Sequence, residues 1–522
     1  MKRFASLLFG ALLLSGCMAP KYERAPGEVP AHFRFESPQE QPASIADLSW
    51  WEMYDDPVLQ ELINTALKNN YDARLALNRV AEARASAGVS RSFLMPQVDA
   101  SGLYQRQGTG RNTVEPPIPR GVDTTTNLAR FNFDLFWEID LFGRLRNLSQ
   151  AAQAQFFASE WGQEAVLTTV VADVARAYFE LCALDSQLEI SRATLASFES
   201  SRRLVTLRFR QGVVSREAVA QVEALVHTAG ARIPDLEIQI AAKENQISIL
   251  LGENPRAIPR GRPLTQLVVR PTVPAGLPSA LLEQRPDIRQ AEAVLIASNY
   301  RIGAARANFF PRIFLTGQYG TQSPEMSDLF SAGTTIWNIG PAVTLPIFTG
   351  GSNYFTLKAT QAQQQQALTL YQFTVRQAFR EVSDGLAAHS LLQNLLKEQE
   401  ALVESYRLYA ELANKRFRGG LVSFLTVLDS ERQLFNAKLA LVTVRRDQFL
   451  TLVQLYKALG GGPELVASPP GASTPPVRMH RAPPKSNKCL LRPGRRDRTC
   501  ATRRLLRAGI PMTLKDTPCA EN

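Results

Sequence analysis

The chain has 522 residues, 45% of them hydrophobic and 20% charged, with a formal net charge of +11, five Cys and four His. Wholesale disorder is excluded, and so is a polytopic helical membrane protein, because no run beyond the N-terminus reaches the roughly 20 uncharged apolar residues of a bilayer-spanning helix. Residues 463 to 522 hold twelve Lys or Arg against four Asp or Glu, so residues 1 to 462 carry only +3 and the basic balance assigns no nucleic-acid partner.

Lys2 and Arg3 precede an apolar run from Phe4 to Leu14 and then Ser15-Gly16-Cys17, the order of a secretory signal peptide over residues 1–16. Leu14-Ser15-Gly16-Cys17 resembles the bacterial lipobox, which implies lipidation at Cys17 and a lipidated arm over residues 17–56. Met18 follows where an inner-membrane retention signal would place Asp, so the resemblance implies the outer membrane. Cys182 falls in an amphipathic helical stretch and reads as a buried small hydrophobe, and Cys489, Cys500 and Cys519 lie in the tail, so no disulfide framework is expected.

From residue 57 the chain is written twice. At an offset of 215, Asp72, Arg74, Gly88, Arg91, Pro96 and Tyr104 match Asp287, Arg289, Gly303, Arg306, Pro311 and Tyr319; at 208, the segment Arg208-Phe209-Arg210-Gln211-Gly212-Val213-Val214-Ser215 matches Arg416-Phe417-Arg418-Gly419-Gly420-Leu421-Val422-Ser423. The repeats are 57–256 and 278–462, joined by a Pro/Gly-rich linker over 257–277. Each opens with helical spacing, over 57–91 and 279–308. Period-two alternation follows, predicting hairpins 96–107/127–138 and 311–322/335–346. Helical spacing resumes over 143–211 and 351–418, about 100 Å of helix in each repeat and more than a bilayer needs. The two matched segments read as tight turns, with Gly212 and Gly420 closing one helix and Ser215 and Ser423 capping the next. The returning helices, 215–251 and 421–459, carry heptad stripes that predict coiled-coil packing, and Pro234 should kink the first. Residues 463–522, with ten Pro and no periodicity, read as a disordered basic tail.

Strands of about ten residues with one apolar and one polar face fit an outer-membrane barrel wall. Four strands cannot close, and an open edge in lipid leaves backbone groups unsatisfied, so several chains must share the barrel. Two chains would give eight strands and a filled interior; three would give twelve and room for water, which the polar faces favour.

Asp56-Pro57, Leu141-Phe142-Gly143-Arg144, Arg285-Pro286-Asp287-Ile288, Phe309-Phe310-Pro311, Leu428-Asp429-Ser430-Glu431-Arg432 and Leu455-Tyr456-Lys457-Ala458-Leu459-Gly460-Gly461-Gly462 together resemble the outer membrane factors of tripartite efflux pumps, the TolC-like channels of lipoprotein type. The resemblance covers residues 17 to 462. It implies an α+β membrane protein: a homotrimer whose twelve-stranded transmembrane β-barrel, four strands from each chain, continues into a coiled-coil α-barrel. It implies a periplasmic adaptor and an inner-membrane transporter, of the resistance-nodulation-division class, as partners, and outer-membrane lipid around the wall. The function implied is passive export of drugs and xenobiotics, with a type I protein secretion duct as the alternative. It further implies a periplasmic constriction at Leu425, Asp429 and Arg432, and adaptor contacts at Arg208, Phe209, Arg210, Gly212, Ser215, Arg416, Phe417, Arg418, Gly420 and Ser423. The first-repeat counterparts of the constriction are Glu217, Gln221 and Ala224, so gating falls to the second repeat. The chain departs from the family at its end, where Pro463 follows the three glycines.

A periplasmic adaptor would share the lipoprotein signal and coiled-coil hairpins, but its β domains would be soluble. A secreted hydrolase lacks a catalytic constellation: the His are scattered, no Cys/His spacing suits a metal, and no phosphate-binding glycine loop is complete. No cofactor and no metal are expected.

Overall fold

The computed structural model describes residues 53–461, except 55, 114, 268–275 and 277, together with residues 19, 20, 22, 24, 30 and 32–35. The chain divides into one unit over Met1–Val466 and a second over Ala467–Asn522, the latter entirely outside the described residues. The signal peptide, Cys17 and the tail expectation therefore fall outside them too.

Asp56 starts helix α1, Pro57–Asn69, by accepting a hydrogen bond from the Val58 N–H at 2.9 Å, with Pro57 in the first turn where its missing N–H costs nothing. The helical spacing over 57–91 is not one helix. Asn70 takes an extended ψ of 135° and its side chain accepts from the N–H groups of Asp72 and Ala73, so α2 starts afresh as Tyr71–Ser92. The second repeat breaks at the matching place, where Arg285 before Pro286 is held out of the helical region between α5, Leu281–Gln284, and α6, Pro286–Ala307.

The strands β1 (Gln97–Gly108), β2 (Thr125–Ile139), β3 (Arg312–Ser323) and β4 (Thr335–Thr344) form one antiparallel sheet in sequence order. Each repeat supplies a hairpin, and pairing of β2 with β3 joins the repeats into one wall. Gly320 permits that junction: a Cβ there would lie 2.2 Å from the Phe131 carbonyl oxygen. Among the described residues the outer edges of β1 and β4 have no strand partner. One face is apolar and open, with Tyr319, Trp337, Ile339 and Val343 each more than 60% exposed.

Below the sheet, α3 (Arg144–Arg210) and α7 (Ser352–Arg418) each run 67 residues, and the returning α4 (Arg216–Leu250) and α8 (Phe424–Ala458) each run 35. Gly143 and Gly351, at φ 77° and 85°, turn the chain from the strands into the long helices. Helix α4 continues unbroken through Pro234. The predicted stripe is buried at Val222, Val226, Ala229, Leu236 and Ile247 on α4 and at Leu428, Phe435, Val442, Phe449, Val453 and Tyr456 on α8. Leu421 and Leu425, the first apolar residues that heptad spacing over 421–459 assigns to the packed stripe, are instead exposed. No helix among the described residues is long and apolar enough to cross a membrane.

The main core gathers Tyr178, Phe179 and Leu181 of α3 with Leu455 and Tyr456 of α8 and Leu59 and Ile63 of α1. The Tyr178 hydroxyl donates to Asp56 at 2.7 Å and accepts from the Gly261 N–H, tying the linker to the first helix cap. Cys182 is buried here, and burial pushes its thiol up to about 12, which suits an inert packing residue. The arm docks on α5 and α6: Arg24 pairs with Glu292 of α6 at 2.8 Å and with Glu283 of α5 at 2.5 Å, Tyr22 donates to Glu292, and Ala19 sits where a Cβ on Gly303 would meet it at 2.8 Å.

Candidate functional site

The two matched turns lie at the far ends of the long helices and share one backbone. Gly212 and Gly420 adopt φ 73° and 75°, a conformation a side chain would strain. The Val213 N–H bonds to the Arg208 carbonyl and the Leu421 N–H to the Arg416 carbonyl, each at 2.9 Å, so each helix closes in the same way.

The side chains diverge. Ser215 caps α4 by accepting from the Ala218 N–H at 3.3 Å, whereas Ser423 makes no side-chain cap to α8, which starts at Phe424 rather than at residue 421. Phe209 is 39% exposed; its counterpart Phe417 is 5% exposed, packed on Phe424 with ring centroids 5.0 Å apart. The Arg208 guanidinium lies 4.4 Å over the Phe417 ring, a cation–π contact that joins the first turn to the second. Around it Val205 and Val222 from the first hairpin pack with Ala413, Phe417, Phe424, Val427 and Leu428 from the second, an apolar cluster separate from the main core.

Leu425, Asp429 and Arg432 follow one another at helical spacing on α8, on the face turned away from that cluster. Leu425 is 56% exposed, and Arg432 pairs with Asp429 at 2.7 Å with both side chains about half exposed. Exposed pairs of this kind are worth only about 0–1 kcal/mol, so this one leaves both groups open to other partners. At the first-repeat equivalents Gln221 donates to the Glu217 carboxylate at 3.2 Å, and Ala224 stands where the second repeat has Arg432.

Glu431 escaped the sequence reading. One of its carboxylate oxygens is buried without a hydrogen-bond partner, and burial raises its pKa above the ordinary carboxylate range. It faces a crevice of about 570 Å³ between α3, α7 and α8, beside Glu189, Phe435 and Lys438. Its position, three residues after Leu428 and four before Phe435, marked the packed face. The Arg208 contact with Phe417 had no such signal, because Phe209 and Phe417 stand in the same motif.

The polar strand face forms a second constellation. Asp99 of β1 pairs in register with Asp134 of β2, Asp134 with Gln318 of β3, and Gln318 with Asn338 of β4, so four polar side chains span the sheet in one row. Ser101 donates to Asp134 at 2.8 Å, Asn132 to Asp134 at 2.5 Å, Gln318 to Asp134 at 3.2 Å and Asn338 to Gln318 at 3.2 Å. No group of three or more His, Cys, Asp or Glu among the described residues is arranged to hold a metal ion.

The model of a family described as outer membrane efflux protein matches residues 62–253 and 277–461, one segment in each repeat. The toluene efflux pump outer membrane protein TtgC of Pseudomonas putida is 37% identical over 473 residues, covering 88% of this chain and 96% of that protein. A membrane protein from Pseudomonas aeruginosa superposes with a TM-score of 0.79 at 34% identity, covering 85% of this chain and all of that one. The open state of the Neisseria gonorrhoeae MtrE outer membrane channel gives a TM-score of 0.77 at 32% identity, covering 85% and 98%.

Proposed function

The chain belongs to the outer membrane efflux protein family, and on that premise we propose that it is the exit duct of a tripartite pump that conducts drugs and organic solvents out of the cell. It works in the outer membrane as a trimer of TolC-like fold. The observation that carries this reading is the four-stranded sheet with unpaired outer edges and an open apolar face, joined to helices of about 100 Å. In lipid such edges must find partners, and three chains supply twelve strands around a lumen wide enough for water.

The adaptor meets the two turns through Arg208, Phe209, Arg210, Gly212 and Ser215 and through Arg416, Phe417, Arg418, Gly420 and Ser423. The inner-membrane transporter, of the resistance-nodulation-division class, supplies the energy. Cys17 carries the lipid anchor. No catalytic step is assigned to the chain, whose relatives are named as pump components.

Leu425, Asp429 and Arg432 form the periplasmic gate. Leu425 narrows the opening; the Asp429 carboxylates of three chains repel one another and need cationic partners to sit close, which the half-exposed Arg432 can supply. Adaptor engagement at the turns withdraws that support. Replacing Asp429 and Arg432 by Ala should raise single-channel conductance of the purified trimer in planar bilayers, and unchanged conductance rejects the gate.

A further inference from the structure

The row Asp99, Asp134, Gln318 and Asn338 does something the fold does not require. Like charges directly opposite in an antiparallel pair destabilise a sheet, yet Asp99 and Asp134 are register partners. Other carboxylates close by are compensated: at the foot of β2, Glu138 pairs with Arg144 at 2.6 Å and Asp140 with Arg146 at 3.3 Å. Among the described residues no Lys or Arg lies within ion-pair distance of Asp99 or Asp134. Asp134 is instead held in place by three neutral donors, Ser101, Asn132 and Gln318, which fix its carboxylate without cancelling the charge. Asp99 is exposed, and its side chain makes no hydrogen bond among the described residues.

We propose that this row is a charge filter in the barrel, distinct from the gate at the helical turns, and that it makes the outer section of the duct favour cationic over anionic solutes. The proposal rests on the duct reading, which turns the polar face inward and repeats the two carboxylates around the lumen once per chain. Twelve strands spaced 4.8 Å apart and tilted about 40° close at a radius of roughly 12 Å to the backbone. Side chains narrow the lumen further, so its axis lies within about one Debye length, ~10 Å at 0.1 M salt, of every carboxylate. The low-dielectric wall concentrates the field, as rings of Asp do in cation channels. Two basic residues share that face: Arg130, bonded to Gln322 at 2.7 Å, and Arg312, bonded to Asn308 at 3.1 Å. They stand four residues along β2 from Asp134 and six along β3 from Gln318, about 13 Å and about 20 Å from the row and beyond that screening length, so they do not neutralise it.

The test is the reversal potential of purified channels in planar bilayers under a KCl gradient. The expected result is a preference for potassium over chloride that falls several-fold in Asp99→Asn/Asp134→Asn. Asn at 134 retains an oxygen that can accept from Ser101 and Asn132, and its amide can donate to Gln318 once that side chain turns its oxygen inward, so the sheet should persist, and a heat-modifiable trimer on gels confirms it. If the double variant forms no trimer, Asp99→Asn alone is read, since Asp99 holds nothing in place; a partial fall in preference is expected. An unchanged ratio in intact variant trimers overturns the filter while leaving the duct standing. Failure of the unmodified protein to form any channel overturns the duct itself, and the filter with it.

Discussion

The two turns at the ends of the long helices share a motif and a backbone but not a role. Gly212 and Gly420 close their helices with nearly the same φ, yet the first turn presents Phe209 to solvent and caps the next helix with Ser215, while the second buries Phe417 and leaves Ser423 without a cap. Duplication preserved what backbone geometry demands and released what packing demands. The second turn became the apolar anchor on which Arg208 of the first turn rests, and α8 beyond it presents Leu425 and the Asp429–Arg432 pair to the surroundings.

Paired substitutions break or sharpen this asymmetry. The largest effect is expected from Phe417→Ala, which removes a buried ring, its contact with Phe424 and the seat of Arg208, at a cost of about 3–5 kcal/mol; Phe209→Ala should change stability by less than about 1 kcal/mol. Hydrogen exchange over residues 200–230 and 408–435 reads both, with faster exchange of the turns in Phe417→Ala only. Equal effects would mean that the turns are equivalent.

Next comes the cap. Ser215→Ala should cost about 1 kcal/mol and raise amide exchange at Ala218, while Ser423→Ala should lie within about 0.5 kcal/mol of the parent. The smallest effect depends on pH. Because burial raises the pKa of Glu431 in the folded protein, its contribution is full below the ordinary carboxylate range and is lost as the pH rises through the raised value. Glu431→Gln should therefore stabilise the protein near neutral pH, and the gain should vanish in acid when thermal unfolding is followed from pH 4 to pH 8.

Periodicity made the helices, the hairpins and the long-helix lengths legible, because one hydrophobic face must be buried along each element. Breaks within a helical pattern were less visible. Asn70 looked like one more polar residue, although Asn followed two residues later by Asp72 is a plausible cap, and Pro286 forced the matching break more openly. Pairing of β2 with β3 was not written in either hairpin. At the turns the sequence located the residues but not their burial, since Phe209 and Phe417 occupy the same motif and only the approach of the two hairpins separates them. The arm's docking on α6 was equally invisible: Arg24 and Glu292 lie 268 residues apart, and charge alone does not choose among partners. Asp99 and Asp134 fall within the period-two stretches 96–107 and 127–138, and their juxtaposition appeared only with the register of the sheet.

The equal length of α3 and α7, 67 residues each, has a consequence for how this gene can change. Inserting one residue into either would lower its tip by about 1.5 Å and swing it through about 100°, carrying Arg208 off Phe417. Small insertions should therefore accumulate in the strand-connecting loops and be purged from the rods, unless a compensating insertion arises in the other half.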